Sequence, residues 1–305
     1  MGTQQQGGLT PSWRVRNPPA TVADQRRARV VFDAFARRFA DEGAVAVVLG
    51  GSWARGEAHR ASDIDLWVLG HRYGRRTLLR DGFPVNIERT TERIERRRFR
   101  DPRRVGGCVP GWRSALVVHD PHGVAAKLVA EARAFRWSSI AAQCDRWVAE
   151  EITGWGEEAV KLVRALGEGQ LETAAVQRNL LANRLAVVMA VHHRILWGSE
   201  NGMWERVGAR VGGPWQRAQR SALGASRGGF EASCRAALDL YGLTADAVRE
   251  TLSDEQAGIV AHVRQVVGSP PRRPLNGRVA FGRSGPTPSS ANRTRSPGRS
   301  AVLGQ

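Results

Sequence analysis

The hydrophobic positions of this chain change spacing as they are followed from one end to the other. Val31, Phe32, Phe35 and Phe39 recur at helical intervals and Gly43 stands just beyond them, which predicts a helix over Arg26 to Glu42 with its arginines turned to solvent. Two continuous apolar runs of strand length follow, Val45 to Leu49 and Ile64 to Leu69. A basic loop (His71, Arg72, Arg75, Arg76) and a hairpin-like return at Asp81-Gly82 then lead into Phe83 to Glu88. There Val85 and Ile87 alternate with Asn86 and Glu88, the period of a half-buried strand. Thr91 to Arg100 is helical and alternates in charge, and Gly106, Gly107 and Gly111 predict a glycine-rich loop. Ser114 to His119 reads as a short strand. Asp120-Pro121 reads as an N-cap and first helical position for a helix bearing Val124, Leu128 and Ala132.

From about Trp137 the pattern is purely helical. Ile140, Cys144, Trp147 and Val148 keep helical spacing, as do Val160, Leu162, Val163 and Leu166, and Leu171 to Trp197 predicts one long helix. Further helices are expected around Trp204, Trp215, Phe230–Tyr241 and Ala245–Leu252. Ser253-Asp254-Glu255-Gln256 forms a capping box for a last helix ending near Val267. The expectation is therefore an α/β (α+β) part with a short mixed sheet flanked by helices, followed by an all-α bundle of five or more helices. The boundaries follow: a loose lead-in over 1–25, a sheet-bearing domain over 26–136, a helical domain over 137–268, and a disordered basic tail over 269–305 made of Pro, Gly, Ser and Arg.

Composition changes this picture little. The 305 residues suffice for two cores. The net charge of +17 is almost all arginine, since Lys127 and Lys161 are the only lysines, and abundant Ala, Gly and Val accompany it. Such a bias is what a GC-rich coding sequence produces, so the charge is discounted as a sign of nucleic-acid binding; no interleaved basic–aromatic stripe supports that function either. Cys108, Cys144 and Cys234 lie far apart and read as reduced, buried thiols, neither a zinc site nor a disulfide framework. No apolar run approaches a membrane span and the polar amino terminus has no signal-peptide core, so a cytoplasmic protein is expected.

The candidate chemistry is concentrated between Val45 and Gly70. Gly50 and Gly51 let the backbone turn sharply after the first strand and approach a ligand with no Cβ in the way. Ser52 stands where a short helix (to Ala58) would offer a hydroxyl and free N–H groups to an anion. Asp63 and Asp65, two apart at the start of the second strand, project from one face of the sheet. Two hard carboxylates converging there suit Mg2+, which takes a few carboxylates together with substrate phosphates. Arg55 is the side chain expected to reach a phosphate, and Ser62 is placed to position Asp63.

Gly50-Gly51-Ser52, ten residues, then Asp63-x-Asp65, with Arg55-Gly56 and Ser62-Asp63-Ile64-Asp65-Leu66 around them, resembles the signature of the DNA polymerase β-type nucleotidyltransferase superfamily, in particular its small bacterial, aminoglycoside-nucleotidyltransferase-like members. The resemblance covers residues 26–136. It implies an enzyme in which Gly50, Gly51, Ser52 and Arg55 hold an NTP, ATP in expectation, and Asp63, Asp65 and a third carboxylate on the next strand hold Mg2+. Glu88 is the best match for that third acid, departing from the more usual Asp, with Glu92 and Glu95 as fallbacks. The implied reaction moves an NMP group to an acceptor hydroxyl and releases pyrophosphate, the helical domain receiving the acceptor. Glu150, Glu151, Glu157 and Glu158 are candidates for an acceptor-side base. A hydroxylated small molecule, an aminoglycoside-like antibiotic or sugar, is the first acceptor expectation. A protein acceptor, as in antitoxin-type AMPylating relatives, is the second, and a catalytically inactive nucleotide-binding relative the third. A fused ribonuclease partner is not expected, because Arg184 and His192 are spaced too widely for its motif.

Overall fold

The computed structural model describes residues 18–70 and 73–268. Most of the expected lead-in, His71 and Arg72 of the basic loop, and the whole tail from 269 lie outside the described residues. Helix α1, Val22–Asp41, begins four residues before the predicted start because Thr21 and Asp24 close a capping box, each satisfying the other's free N–H. Its Val31, Phe32, Phe35 and Phe39 stripe is buried as the spacing predicts. Burying one such phenylalanine is worth about 1.5–3 kcal/mol, so this stripe is what holds the helix to the sheet.

Five strands form one mixed sheet: β1 Ala46–Leu49, β2 Ile64–Leu69, β3 Gly74–Arg80, β4 Phe83–Thr90 and β5 Leu116–His119, in the order β3-β4-β2-β1-β5. Only β2 and β4 run parallel; every other neighbouring pair is antiparallel. Arg75 and Arg76, predicted in a loop, lie in β3, the outer strand of a hairpin. The hairpin turns on Asp81 and Gly82, both at positive φ (50° and 83°), the combination that matches the twist of two adjoining strands.

One sheet face, carrying Val47, Leu49, Ile64, Leu66, Val68, Val85 and Ile87, packs on α1. On the other face Ala46, Val48 and Leu69 join a core that continues without a break into the helical region. That core includes α4, Pro102–Ser114, where the pattern predicts a loop. Asp101 caps it, Pro102 opens it, and Gly106 is small because the Trp197 ring packs on it: a Cβ at Gly106 would stand 1.9 Å from that ring. Helix α3, Glu92–Arg98, lies within the run predicted helical, and Thr91 caps it. Helix α5, Val124–Ala134, starts later than predicted. Asp120 still satisfies its first turn, accepting from the Val124 and Ala126 N–H groups, but Gly123 and not Pro121 marks its start.

The carboxy-terminal region is helical throughout: α6 Ala141–Gly154, α7 Gly156–Gly167, α8 Leu171–His192, α9 Glu200–Val211, α10 Gly213–Ala222, α11 Phe230–Ala247 and α12 Asp254–Gly268. The Ser253 capping box is present as predicted. Helix α8 is the spine, packed against α6, α7, α9 and α11, and it stops at His192, short of the predicted Trp197. Trp197 lies beyond that end, and its N–H donates to the Gly106 carbonyl at 2.8 Å. Among the described residues no helix is long and apolar enough to cross a membrane.

Candidate active site

The alternation that buries Ile64, Leu66 and Val68 against α1 turns Asp65 and Trp67 to the opposite face of β2. Parallel pairing sets Asp65 beside Asn86 and Trp67 beside Glu88 on β4. The glycine turn arrives at the same place from β1. The Gly50 N–H donates to the Asp65 carbonyl at 2.9 Å, and a Cβ at Gly51 would stand 2.0 Å from Asp65 Oδ2. Gly51 is also at φ +65°, so this position needs glycine twice over, for its backbone and for the approach of a carboxylate. Gly50 is closed in likewise, 2.8 Å from the Trp67 ring by the same construction. The bend and the acidic pair are thus in direct contact.

Asp63 and Asp65 are joined by Asn86. Its Nδ2 donates to Asp63 Oδ2 and to Asp65 Oδ1, the latter at 3.3 Å, while its Oδ1 accepts from the Thr77 hydroxyl at 2.8 Å. Burial holds the Asp65 carboxyl above the usual aspartate range, the neighbouring Asp63 charge adds to the rise, and the Asn86 hydrogen bond and Arg55 oppose it. Glu88, whose charge also reaches Asp65, pairs with Arg98 at 2.5 Å and Arg75 at 3.0 Å. The structure therefore brings Asp63 and Asp65 together and puts an amide beside them. The two fallback acids are also engaged. Glu92 pairs with Arg96, and Glu95 is buried among Arg98, the Thr90 hydroxyl and the Trp112 indole N–H. Among the described residues no group of three or more His, Cys, Asp or Glu is placed to hold a metal ion. Two carboxylates remain, which together with phosphate oxygens still suit Mg2+.

Helix α2, Gly51–Arg55, is shorter than predicted because Gly56 ends it at φ 72°. It is fixed by Trp53, which stands edge-on to Phe83 and donates to the Ser62 carbonyl. Ser52 is half-buried, and its hydroxyl has no hydrogen-bond partner among the described residues. Arg55 pairs with Glu57 at 2.7 Å and is close enough to bear on Asp65. The Ser62 hydroxyl does not touch Asp63 but accepts from the His59 N–H at 2.8 Å.

One strand repeat beyond Asp65, about 7 Å along β2, Trp67 and Glu88 open into a cleft of about 1160 Å³ between the sheet and α3, α4, α6, α8 and α9. Of the four proposed acceptor-side acids only Glu151 lines it, bound to Arg103 at 2.7 Å and to the Trp155 indole N–H at 2.9 Å. Glu157 and Glu158 pair with Lys161, and Glu150 is exposed. Asn86 and the tryptophans of the cleft are the residues a sequence reading passes over. Asn86 looks like any polar strand position until the β2–β4 register sets it beside the acids.

Residues 30–102 match a family described as "Nucleotidyltransferase domain". No curated protein matches the chain in sequence. Among solved structures, a nucleotidyltransferase-like protein from Exiguobacterium sibiricum 255-15 shares 11% identity at a TM-score of 0.45, over 74% of this chain and 77% of that one.

Proposed function

Starting from a chain whose residues 30–102 form a nucleotidyltransferase domain, we propose that it transfers an NMP group from an NTP, ATP in the first instance, to a hydroxyl of a small molecule. The observation that carries this reading is the contact between the Gly51 bend and Asp65, with Asp63 tied alongside by Asn86. Glycine at the bend lets the backbone lie directly against the Asp65 carboxylate, so that phosphates held at the bend would meet the acidic pair. Asp63 and Asp65 would hold Mg2+, and when bound the ion supplies charge neutralisation at the phosphoryl group being transferred. Ser52 offers the outer phosphates a hydroxyl without a partner among the described residues, and Arg55 offers a cation at the edge of the same bend. The acceptor oxygen attacks the α-phosphorus, the bond from that phosphorus to the bridging oxygen breaks, pyrophosphate leaves, and the hydroxyl proton passes to solvent. The chain's part is positioning and electrostatics, the main sources of catalysis in phosphoryl transfer.

Asn86 supports this role by fixing both carboxylates in one orientation, and Glu88 supports it indirectly by holding Arg75 and Arg98 at the lip of the cleft. The test is pyrophosphate release and transfer of label from α-32P NTPs with Mg2+ and a panel of hydroxylated compounds. Activity that survives both Asp63→Ala and Asp65→Ala would end the proposal, and label recovered on protein would move the acceptor to a macromolecule.

A further inference from the structure

The cleft beyond the acidic pair has a chemistry of its own. Six of the ten tryptophans in the chain stand in its wall. Three glutamates and five arginines stand there too, and every glutamate is already taken: Glu88 by Arg75 and Arg98, Glu95 by Arg98, Glu151 by Arg103. Arg104 and Arg184 line the cleft, are exposed, and have no carboxylate partner among the described residues. The Arg184 guanidinium lies 6.0 Å over the Trp155 ring, which positions the cation without using up its hydrogen-bond donors. The indole nitrogens of Trp147 and Trp204, buried behind the wall, have no partner among the described residues. A cationic ligand would have to draw a glutamate away from its arginine, whereas an anion meets two uncommitted guanidinium groups. A planar ring meets the partly exposed Trp67, Trp155 and Trp204, against which stacking is favourable.

We infer that this cleft is the acceptor subsite, and that it takes an aromatic molecule bearing a carboxylate or comparable anionic group besides the hydroxyl that receives the NMP group. The word acceptor rests on the proposed transfer; the preference for an aryl anion rests on the cleft alone. A nucleotide is also planar and anionic, so the test has to separate the two.

The full chain is titrated with 8-anilinonaphthalene-1-sulfonate, a planar anion, and with berberine, a planar cation, each followed by its own fluorescence. The anion is expected to saturate one site about tenfold or more tighter than the cation, a ratio worth about 1.4 kcal/mol. Saturating Mg–ATP is expected to leave it bound. Arg184→Glu and Arg104→Glu, both at exposed positions away from the acidic pair, are expected to weaken the anion about fivefold or more with circular dichroism and melting temperature unchanged. Equal or tighter binding of berberine, indifference to both charge reversals, or displacement of the probe by Mg–ATP would each overturn the inference. Failure of the transfer reading looks different: no labelled product forms with any hydroxylated aryl acid while the sulfonate still binds, which removes the acceptor role and leaves an aryl-anion site.

Discussion

The amide of Asn86 donates to Asp63 across the parallel pair of strands that also brings it to Asp65. It stands where a third carboxylate would complete the acidic cluster, and its orientation is fixed by the Thr77 hydroxyl on its other side. Asn86→Ala frees both acids to rotate and removes the one donor between them. Loss of such an orienting partner typically costs 10–100-fold in metal affinity or activity, and about that drop is expected in transfer rate.

Asn86→Asp tests the electrostatics of the same position. Asp65 already binds its proton more tightly in the folded state, because of burial and the Asp63 charge. A carboxyl whose pKa rises on folding favours the fold at low pH, and that advantage is lost as pH rises through the folded-state value. A third carboxylate deepens the effect. The variant is expected to melt below the parent at pH 7.5, to converge with it as pH falls toward the ordinary aspartate value of about 3.9, and to recover more than the parent when Mg2+ is added. Calorimetry with and without the ion checks all three. An Asn86→Asp protein as stable as the parent at pH 7.5 without Mg2+ would mean that the acids are better solvated than their packing shows.

Gly51→Ala places a methyl 2.0 Å from Asp65 Oδ2 at a φ of +65°. Backbone strain alone is worth about 1–3 kcal/mol, and the clash displaces the carboxylate that the site depends on. Both denaturation midpoint and activity are expected to fall, activity the more steeply. Gly56→Ala is the control: it also sits at positive φ (72°), but its added methyl would meet nothing within 4 Å, so it carries the strain without moving Asp65.

Gly106→Ala separates helix propensity from packing. Alanine is the better helix former by about 1 kcal/mol, yet its methyl would stand 1.9 Å from the Trp197 ring. Overpacking of this kind costs typically 1–3 kcal/mol, so a net loss of stability is expected in urea unfolding. Adding Trp197→Ala should relieve part of the clash, making the double variant less unstable than the two single losses summed.

Gly106 also marks the limit of what the sequence discloses. Three glycines and a proline over Gly106–Gly111 argue for a loop by local propensity, and only distant rings, Trp197 against Gly106 and Gly107 and Trp67 against Gly111, make a glycine face on a helix sensible. By contrast α1 is legible from its one apolar stripe, β1 and β2 from continuous apolar runs that suit strands covered on both faces, and the bend from its paired glycines. Asp63 and Asp65 share their face through the two-residue strand period, a local property. The resemblance makes Glu88 the best match for a third acid, but which β4 residue lies directly beside Asp65 depends on a β2–β4 register that no short-range signal encodes. Arg75 and Arg76 read as loop because exposed arginines on an outer strand leave no apolar alternation.

The end of α8 supplies a pH dependence remote from the site. His192 and His193 stack edge to face, 4.8 Å between ring centres. Burial holds both imidazoles below the ordinary histidine value; Arg194 adds to the effect at His192 against the opposing charge of Asp145, and His192 and Arg210 add to it at His193. A histidine whose pKa falls on folding contributes stability that is present above the unfolded value of about 6.5 and is lost as pH drops through the folded value, because the unfolded chain takes up the proton first. The buried His193 Nε2, which finds no partner among the described residues, has no acceptor there for the added proton. The parent protein is therefore expected to lose stability between pH 7.5 and 5.5 in urea titrations. The double variant His192→Gln with His193→Gln, which cannot take up that proton, should lose less over the same interval. Equal losses in the two proteins would show that these imidazoles are solvated and that the acid sensitivity arises from another part of the chain.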